Sequence, residues 1–326
     1  MINKILLIFL SVIIVLNSSK LVSGDFLVLS MYGEITKKSN SEKNWVKIKT
    51  GSELNYSDEI KLSDKSYICL YHNSGNSLEF KKNGIYKLSS YSDNLKKKSR
   101  PVIDIIGQYI FKQIFEADNN IIKDPKTGAM SISIGGVERG LDNFGTEANE
   151  SRGKKIRIKP PSHFFTLDEA VEFCWFPIKK GLNYEITITD SANDKIFSKI
   201  TQDTNLTIDL KNLKLDKNIC YFWQVSSDNY KSESYCLYLF PDDEKEKIFD
   251  EVRAIESQFG EEQSPIKDMA LGIYYSSKKI DNRAIKHFEN AIKSAQGSFE
   301  YRKIYSIYLA KAGYTEEATK ILNSKY

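Results

Sequence analysis

The sequence is poor in histidine and cysteine, the side chains that zinc and other transition-metal sites use most. Among its 326 residues there are 3 histidines and 4 cysteines. His72, His163 and His287 lie far apart and no Cys-x-x-Cys pair occurs, so the sequence contains no metal-ligand spacing. No pair of carboxylates stands in a context that suggests acid–base catalysis. The sequence therefore predicts a protein that is not an enzyme and that carries no cofactor.

Hydrophobic runs long enough to cross a membrane are also missing. The longest run, Ile5–Leu16, is shorter than the about 20 residues that a spanning helix needs. Lys4 precedes it and Val22-Ser23-Gly24 follows it, which is the pattern of a secretory signal peptide over residues 1–24. An uncleaved membrane anchor is the alternative. No cysteine follows the run, so a lipid-modified N-terminus is not indicated, and we expect an exported protein that is periplasmic or associated with the cell envelope.

Dense charge and phosphate-binding loops are missing as well. The formal net charge of +4 is spread along the chain, and the densest basic run, at 96–100, is interpreted as a solvated linker. The alternative for that run is a contact with nucleic acid or lipid. Glycines are frequent at 135–145, but no Gly-Lys-Ser/Thr follows them and no helix pattern begins there. No nucleic-acid partner and no phosphate-binding loop is predicted.

Aromatic residues are plentiful, with 19 Tyr, 17 Phe and 3 Trp, and residues 25–92 contain short alternating pieces typical of β-strands. Within them the segment Gly-x-x-Leu-x-x-x-Asp-x-Ile is formed by Gly51, Leu54, Asp58 and Ile60. This pattern resembles the FecR-like domain of bacterial envelope proteins. The resemblance implies a small closed β-structure used in envelope signalling or surface binding. His72 lies on the apolar face of a strand and is expected to be a hydrogen-bonded, half-buried residue rather than a ligand.

Residues 93–155 are predicted to connect two domains. Apolar side chains recur at helical spacing in 102–117, which indicates one amphipathic helix. Its apolar stripe is expected to dock on the first domain or on a partner. The rest of the segment is expected to be a long flexible connector with one short strand.

Several short alternating strands over residues 156–241 predict a two-sheet sandwich. Trp175 lies near the end of the second strand, Tyr184 begins the third, and Leu215 precedes Tyr221 by six residues. These spacings resemble those of a fibronectin type III domain, including a tyrosine corner in which the phenol hydroxyl of Tyr221 bonds back to the chain. The resemblance implies a binding or spacer module without catalytic residues. The expected structural core residues are Trp175, Tyr184, Leu215, Tyr221 and Trp223.

In an exported chain the four cysteines favour a disulfide. A hairpin centred on Asp228 places Cys220 and Cys236 directly opposite each other on neighbouring strands, within disulfide reach. The alternative is two free thiols. Cys174 is expected to point outward, with no base placed to activate it.

The C-terminal part, 242–326, is predicted to be helical. Ala284 and Ala318 are separated by 34 residues, and the residues around them resemble a pair of tetratricopeptide repeats over 265–326. Two repeats are too few to bury a continuous core alone. A helix at 243–259 is therefore expected to supply the missing face; otherwise the pair docks on the sandwich or on another chain.

The repeats imply a surface for a protein partner. By analogy with the family, a groove on the first helix of each repeat takes a peptide or a helix. The positions that line it are Met269, Ile273, Ser276, Lys303 and Ile307. The alternative is that these residues only pack against the helix at 243–259.

These features predict a multidomain chain with an all-β, barrel-like N-terminal domain and a β-sandwich, followed by all-α helical hairpin repeats. The expected function is a non-enzymatic exported scaffold or adaptor for protein–protein interactions in the bacterial cell envelope. One alternative is a FecR-like envelope sensor or regulator. Another is a cell-wall or glycan-binding protein that uses exposed aromatic side chains such as Trp45 or Tyr71. Membrane contact is expected only through the signal segment, if it is uncleaved.

Overall fold

The computed structural model describes residues 24–96, 101–113, 155–259 and 264–324. The predicted signal peptide up to residue 23, the glycines at 135–145 and the end of the predicted helix 102–117 lie outside those residues.

The described residues belong to two compact units. The first unit takes those within Met1–Ser133, Glu251–Tyr274 and Ile285–Tyr326, and the second takes those within Ile134–Asp250 and Tyr275–Ala284. The predicted fold class is confirmed, because an all-β region with several antiparallel sheets precedes a C-terminal region of helices.

Eight strands lie within 24–96 and form two four-stranded antiparallel sheets, in the orders β4-β1-β6-β7 and β3-β2-β5-β8. Their apolar inner faces pack on each other, with Phe26, Leu54 and Ile60 fully buried between them. The strands are β1 (Phe26–Tyr32), β2 (Ile35–Lys38), β3 (Val46–Lys47), β4 (Glu53–Leu54), β5 (Glu59–Leu62), β6 (Tyr67–His72), β7 (Ser77–Phe80) and β8 (Gly84–Lys87).

Strand β6 is buried along its whole length. Ile68 and Leu70 point into the core between the two sheets, so alternation places Tyr67, Cys69 and Tyr71 on the opposite, outer face. Each of these three side chains is at most 4% exposed. Other parts of the first unit therefore cover the outer face of this sheet.

Seven α-helices lie within the described residues. They are α1 (Ser92–Lys96), α2 (Pro101–Phe111), α3 (Asp242–Glu256), α4 (Pro265–Ser277), α5 (Asp281–Ser294), α6 (Phe299–Lys311) and α7 (Thr315–Asn323).

Helix α2 covers part of the outer face of β6. A Cβ atom added at Gly107 would lie 2.5 Å from the ring of Tyr71, so the helix backbone rests directly on that ring. Ile106 and Ile110 are fully buried beside it. The predicted amphipathic helix thus docks on the first domain. The expectation of an exposed Tyr71 is wrong, because this helix covers the ring, and Trp45 is half-buried.

The helices α4 to α7 form two hairpins with short turns. Helices α6 and α7 begin 34 residues after α4 and α5 respectively, which equals the tetratricopeptide period. Helices α4 and α5 approach closely where the ring of Phe288 lies against Gly272. The end of α3 packs here too, since the Tyr274 hydroxyl donates to Glu251 Oε2 at 2.6 Å and Ile255 is fully buried. This part of the helix predicted at 243–259 thus supplies some of the apolar surface that two repeats alone lack.

The second unit contains a sandwich. A sheet in the order β12-β11-β14-β16-β9, with β15 paired to β14, faces the two-stranded sheet β10-β13. Its strands are β9 (Phe164–Thr166), β10 (Ala170–Cys174), β11 (Tyr184–Thr189), β12 (Lys195–Thr201), β13 (Asn205–Asp209), β14 (Cys220–Ser227), β15 (Tyr230–Lys231) and β16 (Tyr235–Leu239).

The predicted sandwich core is present. Trp175 and Trp223 are completely buried and Tyr184 is 1% exposed, while Leu215 packs at the edge of the same core. The Tyr221 hydroxyl accepts a hydrogen bond from the backbone N–H of Asp216 at 2.9 Å, as a tyrosine corner requires. The likeness to fibronectin type III domains stays a resemblance.

The predicted disulfide between Cys220 and Cys236 is formed, with the two Cα atoms 5.6 Å apart. The predicted register is wrong, because Cys220 is paired with Tyr238 and Cys236 with Phe222. The turn lies between Ser227 and Tyr230, so its centre is not at Asp228 as expected. One additional residue between β15 and β16 then shifts the pairing of β16 with β14 further in the same direction. The two cysteines are therefore diagonal neighbours rather than directly opposite.

Replacing Gly272 with alanine tests the close approach of α4 and α5. The added Cβ would lie 2.8 Å from the Phe288 ring, so we expect a loss of about 1–3 kcal/mol in the free energy of unfolding. The gain of about 1 kcal/mol in helix propensity works against this loss. Chemical denaturation measures the change. Combining Gly272→Ala with Phe288→Leu should recover part of it; an equal or larger loss in the double variant would contradict the contact.

Removing the disulfide with Cys220→Ser and Cys236→Ser should lower the free energy of unfolding by about 3 kcal/mol. The bond closes a loop with a sequence separation of 16, which restricts the unfolded chain. Denaturation under oxidising conditions gives the change, and Cys174→Ser serves as the matched control. Quantitative alkylation of Cys220 and Cys236 without a reductant would contradict the bond.

Candidate functional site

The positions predicted to bind a partner are mostly buried. Met269, Ile273, Lys303 and Ile307 are at most 7% exposed, and Ser276 is half-buried. Burial lowers the pKa of the Lys303 ammonium. A partner at these positions would have to displace parts of the chain, so the groove expected by analogy is not an open surface. The binding role of the five residues stays a prediction.

Helix α6 is buried on nearly all sides, and its N-terminus lies against strand β1. The Ser30 hydroxyl donates to Ser298 Oγ at 2.9 Å and to Glu300 Oε2 at 3.2 Å. Glu300 also accepts from the backbone N–H of Met31 at 3.4 Å and from the Thr50 hydroxyl at 2.6 Å. Ser298 is the N-cap residue of α6. The first turn of the second repeat is therefore bound to the β-structure.

Helix α4 is bound to the same sheet in the same way. Glu79 of β7 accepts a hydrogen bond from the Ser264 hydroxyl, which directly precedes the helix, and from the backbone N–H of Ile266 at 3.1 Å. The Tyr67 hydroxyl donates to the same carboxylate at 2.5 Å. A carboxylate at a helix N-terminus is stabilised by the free N–H groups and the helix dipole. Glu79 thus caps the first helix of the first repeat from a distant strand.

The two caps are connected by buried tyrosines. The hydroxyls of Tyr67 and Tyr301 lie 3.0 Å apart, and both side chains are completely buried, as is Cys69. Burial raises the pKa values of both phenols and of the Cys69 thiol well above their usual values. A thiol with a raised pKa stays protonated and is a poor nucleophile.

We call this set of residues the junction. Its geometry fits the joining of two folded parts rather than the conversion of a substrate. Its members are Ser30, Thr50, Tyr67, Cys69, Glu79, Ser264, Ser298, Glu300 and Tyr301.

Sequence reasoning missed the junction. The serines before α4 and α6 are recognisable helix N-cap signals, since each directly precedes the first turn of its helix. Their partners on β1 and β7 are more than 180 residues away and follow no spacing rule.

The histidines and the remaining cysteine do not form a reactive pair. His72 is 3% exposed rather than half-buried, and its nitrogens lie 2.7 Å from the hydroxyls of Tyr56 and Ser74. His163 Nδ1 accepts from the backbone N–H of Cys236 at 3.2 Å. Burial, and then Glu172, raises the pKa of Cys174. Within the described residues, no group of three or more His, Cys, Asp or Glu side chains could hold a metal ion.

The second unit has a partly buried ion pair that the sequence did not indicate. The guanidinium of Arg283 bonds to both carboxylate oxygens of Asp168, and Asn282 Nδ2 donates to the same carboxylate at 2.9 Å. Arg283 also lies over the rings of Phe249 and Tyr275, 5.4 and 5.7 Å from their centroids. The start of α5 is fixed to the loop before β10.

Glu79→Ala tests the junction. The substitution leaves buried donors from Tyr67, Ser264 and Ile266 without an acceptor, so we expect a loss of about 3–5 kcal/mol in the free energy of unfolding of the first unit. The matched control is Glu34→Ala, which removes an exposed ion pair with Lys47 at 3.2 Å and should cost at most about 1 kcal/mol. Equal losses in the two variants would contradict the capping role.

Glu79→Gln tests the charge of the same group. Burial raises the pKa of Glu79 above the usual 4.5, and the hydrogen bonds from Ser264, Tyr67 and Ile266 oppose the shift. The folded state therefore holds this proton more tightly than the unfolded state. As the pH falls from neutral to about 4.5, the wild type should gain stability relative to Glu79→Gln; denaturation at several pH values measures this difference. A loss of relative stability over that range would show a lowered pKa instead.

Comparison with known proteins gives no assignment. No family model matches the chain, and no curated protein matches it. A β-1,2-glucanase from Parabacteroides distasonis is matched at 10% identity and a TM-score of 0.22, over 52% of this chain and 34% of the glucanase. A cytokine receptor complex is matched at 12% identity and a TM-score of 0.18, over 64% of this chain and 92% of the other. The chain spans about a third of the glucanase, and likenesses this weak identify neither its fold nor its function.

Proposed function

We propose that the chain is a non-enzymatic, exported scaffold that mediates protein–protein interactions in the bacterial cell envelope. The observation that supports this most is the junction, which binds the first turns of α4 and α6 to the β-structure within the first unit. A rigid unit presents binding residues in fixed positions, which lowers the entropic cost of association.

The proposed compartment agrees with one observation. The Cys220–Cys236 disulfide suits an oxidising, extracytoplasmic environment. In the part of the chain that is described, no helix has the length and apolar character that a membrane span requires.

Partner binding through the repeats is best supported at the start of α6. Phe299 is 50% exposed, although its neighbours on the helix are buried. The Arg302 guanidinium lies 5.7 Å from the ring centroid. That guanidinium is itself fixed by hydrogen bonds to the carbonyls of Gly297 at 3.0 Å and of Leu322 and Ser324 at 2.6 Å. An exposed aromatic ring beside a fixed arginine is typical of interface residues that carry much of the binding energy.

Phe299→Asp in residues 25–326 tests this proposal. We expect capture of the protein partner from native envelope extract to fall at least tenfold, because the variant loses an exposed aromatic side chain that a partner would bury. The matched control is Ile200→Asp, which changes a 66% exposed side chain on the sandwich and should leave capture unchanged. Quantitative mass spectrometry of the captured proteins measures the effect, and thermal unfolding checks that both variants fold.

Two results would contradict the proposal. Identical partners for both variants and the wild type would show that Phe299 is not a binding residue. Capture of nothing above the empty resin, together with turnover of an envelope polymer, would show that the chain is an enzyme. Point variants are preferable to deleting 262–326, because the deletion would expose the buried face of Tyr67 and Cys69.

A further inference from the structure

The second unit carries a polar cleft on the outer face of its larger sheet. Its volume is about 410 Å³, which lies within the range of roughly 300–1,000 Å³ typical of small-ligand sites. The residues that matter for its chemistry are Thr187, Thr189, Lys195, Phe222, Gln224 and Lys231.

Strand alternation explains why the cleft is polar. Ile186 and Ile188 of β11 are completely buried in the sandwich core, so Thr187 and Thr189 point to the opposite face. The pairing places Thr187 opposite Gln224 and Thr189 opposite Phe222. Two hydroxyls, one carboxamide and one aromatic ring therefore lie side by side on adjacent strands.

Phe222 is an exposed aromatic residue among the polar side chains that line this cleft. It is 37% exposed although the other aromatic residues of β14, Tyr221 and Trp223, are buried. Its strand position is held by the Cys220–Cys236 disulfide, because Cys236 is its direct partner on β16. The ring is thus a fixed apolar platform among hydrogen-bonding groups.

The charge at the cleft is positive. No carboxylate lines it. Lys195 is bound to Glu185 at 3.1 Å, and this bond, after the bond from Ser198, lowers the pKa of Glu185. Within the described part of the chain, Lys231 forms no ion pair. One ammonium group therefore remains available to an anionic ligand.

We propose that this cleft binds an acidic saccharide. A sugar ring has an apolar C–H face that packs on an aromatic ring, and hydroxyls that bond to threonine and glutamine side chains. A carboxylate on the sugar pairs with Lys231. Gln224 Nε2 already donates to the Ser232 carbonyl at 2.7 Å and the Thr189 hydroxyl to the Phe222 carbonyl at 3.4 Å, so a sugar would bond to the remaining capacity of these groups, the carboxamide oxygen of Gln224 and the hydroxyl of Thr187 among them. The inference does not depend on the scaffold function, because it concerns a different unit and a different class of ligand.

Titration of residues 25–326 with tetragalacturonate, followed by calorimetry or NMR, tests the site, and neutral maltotetraose is the comparison probe. We expect saturable binding of the acidic probe and at least tenfold weaker binding of the neutral one. Phe222→Ala should weaken the binding of the acidic probe at least tenfold. Lys231→Gln should weaken the binding of the acidic probe severalfold and make that binding less dependent on salt, as expected for a lost ion pair. Ile200→Ala, on the same sheet face but outside the cleft, should have no effect.

Three results would overturn the inference: absence of saturable binding of tetragalacturonate; equal binding of the two probes; and binding unchanged by Phe222→Ala and by Thr187→Val. The last variant keeps the shape of the side chain and removes its hydroxyl, so a folding defect does not obscure its result. Phe299→Asp should leave saccharide binding intact, which separates this test from that of the scaffold.

Discussion

The first unit depends on the burial of both faces of strand β6. Its inner face fills the core between the two sheets, and its outer face presents Tyr67, Cys69 and Tyr71, which are at most 4% exposed. Burying a large apolar side chain contributes about 1.5–3 kcal/mol. The eight strands alone would leave this outer face in water. Helices α2 and α6 remove it from water, at Tyr71 and Tyr67 respectively.

Covering this face creates a second requirement. The hydroxyl of a buried tyrosine needs a hydrogen-bond partner, because an unpaired buried polar group costs about 1–3 kcal/mol. Tyr67 meets the need with Glu79 and Tyr301. A buried carboxylate then needs donors of its own, and Glu79 obtains them from Ser264 and the first turn of α4. The packing of one strand therefore fixes where both helical hairpins begin.

Local periodicity was enough to predict much of the fold. The alternation around Trp175 and Trp223 marked the sandwich core, and the spacing between Leu215 and Tyr221 indicated the tyrosine corner. The disulfide partners were also predictable, because a hairpin brings Cys220 near Cys236 whatever its detailed register. The register was not predictable, since it depends on the two-residue turn between Ser227 and Tyr230 and on one additional residue between β15 and β16.

The candidate site was harder to predict, because it is built from contacts between distant segments. The sequence from Tyr67 to Tyr71 is apolar at every position, which is the pattern of a strand buried on both faces. The expectation of an exposed Tyr71 did not take that signal into account, and the signal does not say which part of the chain covers the face. Family analogy assigned Lys303 and Ile307 to an open groove, whereas the structure buries both.

In each unit, the polarity of the outward-facing side chains separates covered sheet faces from accessible ones. In β6 the outward positions carry Tyr, Cys and Tyr, so the face is stable only when helices pack on it. In β11 the outward positions Glu185, Thr187 and Thr189 are polar and half-buried, so that face is stable in water. Polar side chains at alternate positions leave a sheet surface free for a ligand, and apolar ones commit it to the interior. The outward residues of each strand thus decide whether its sheet builds the fold or offers a surface for binding.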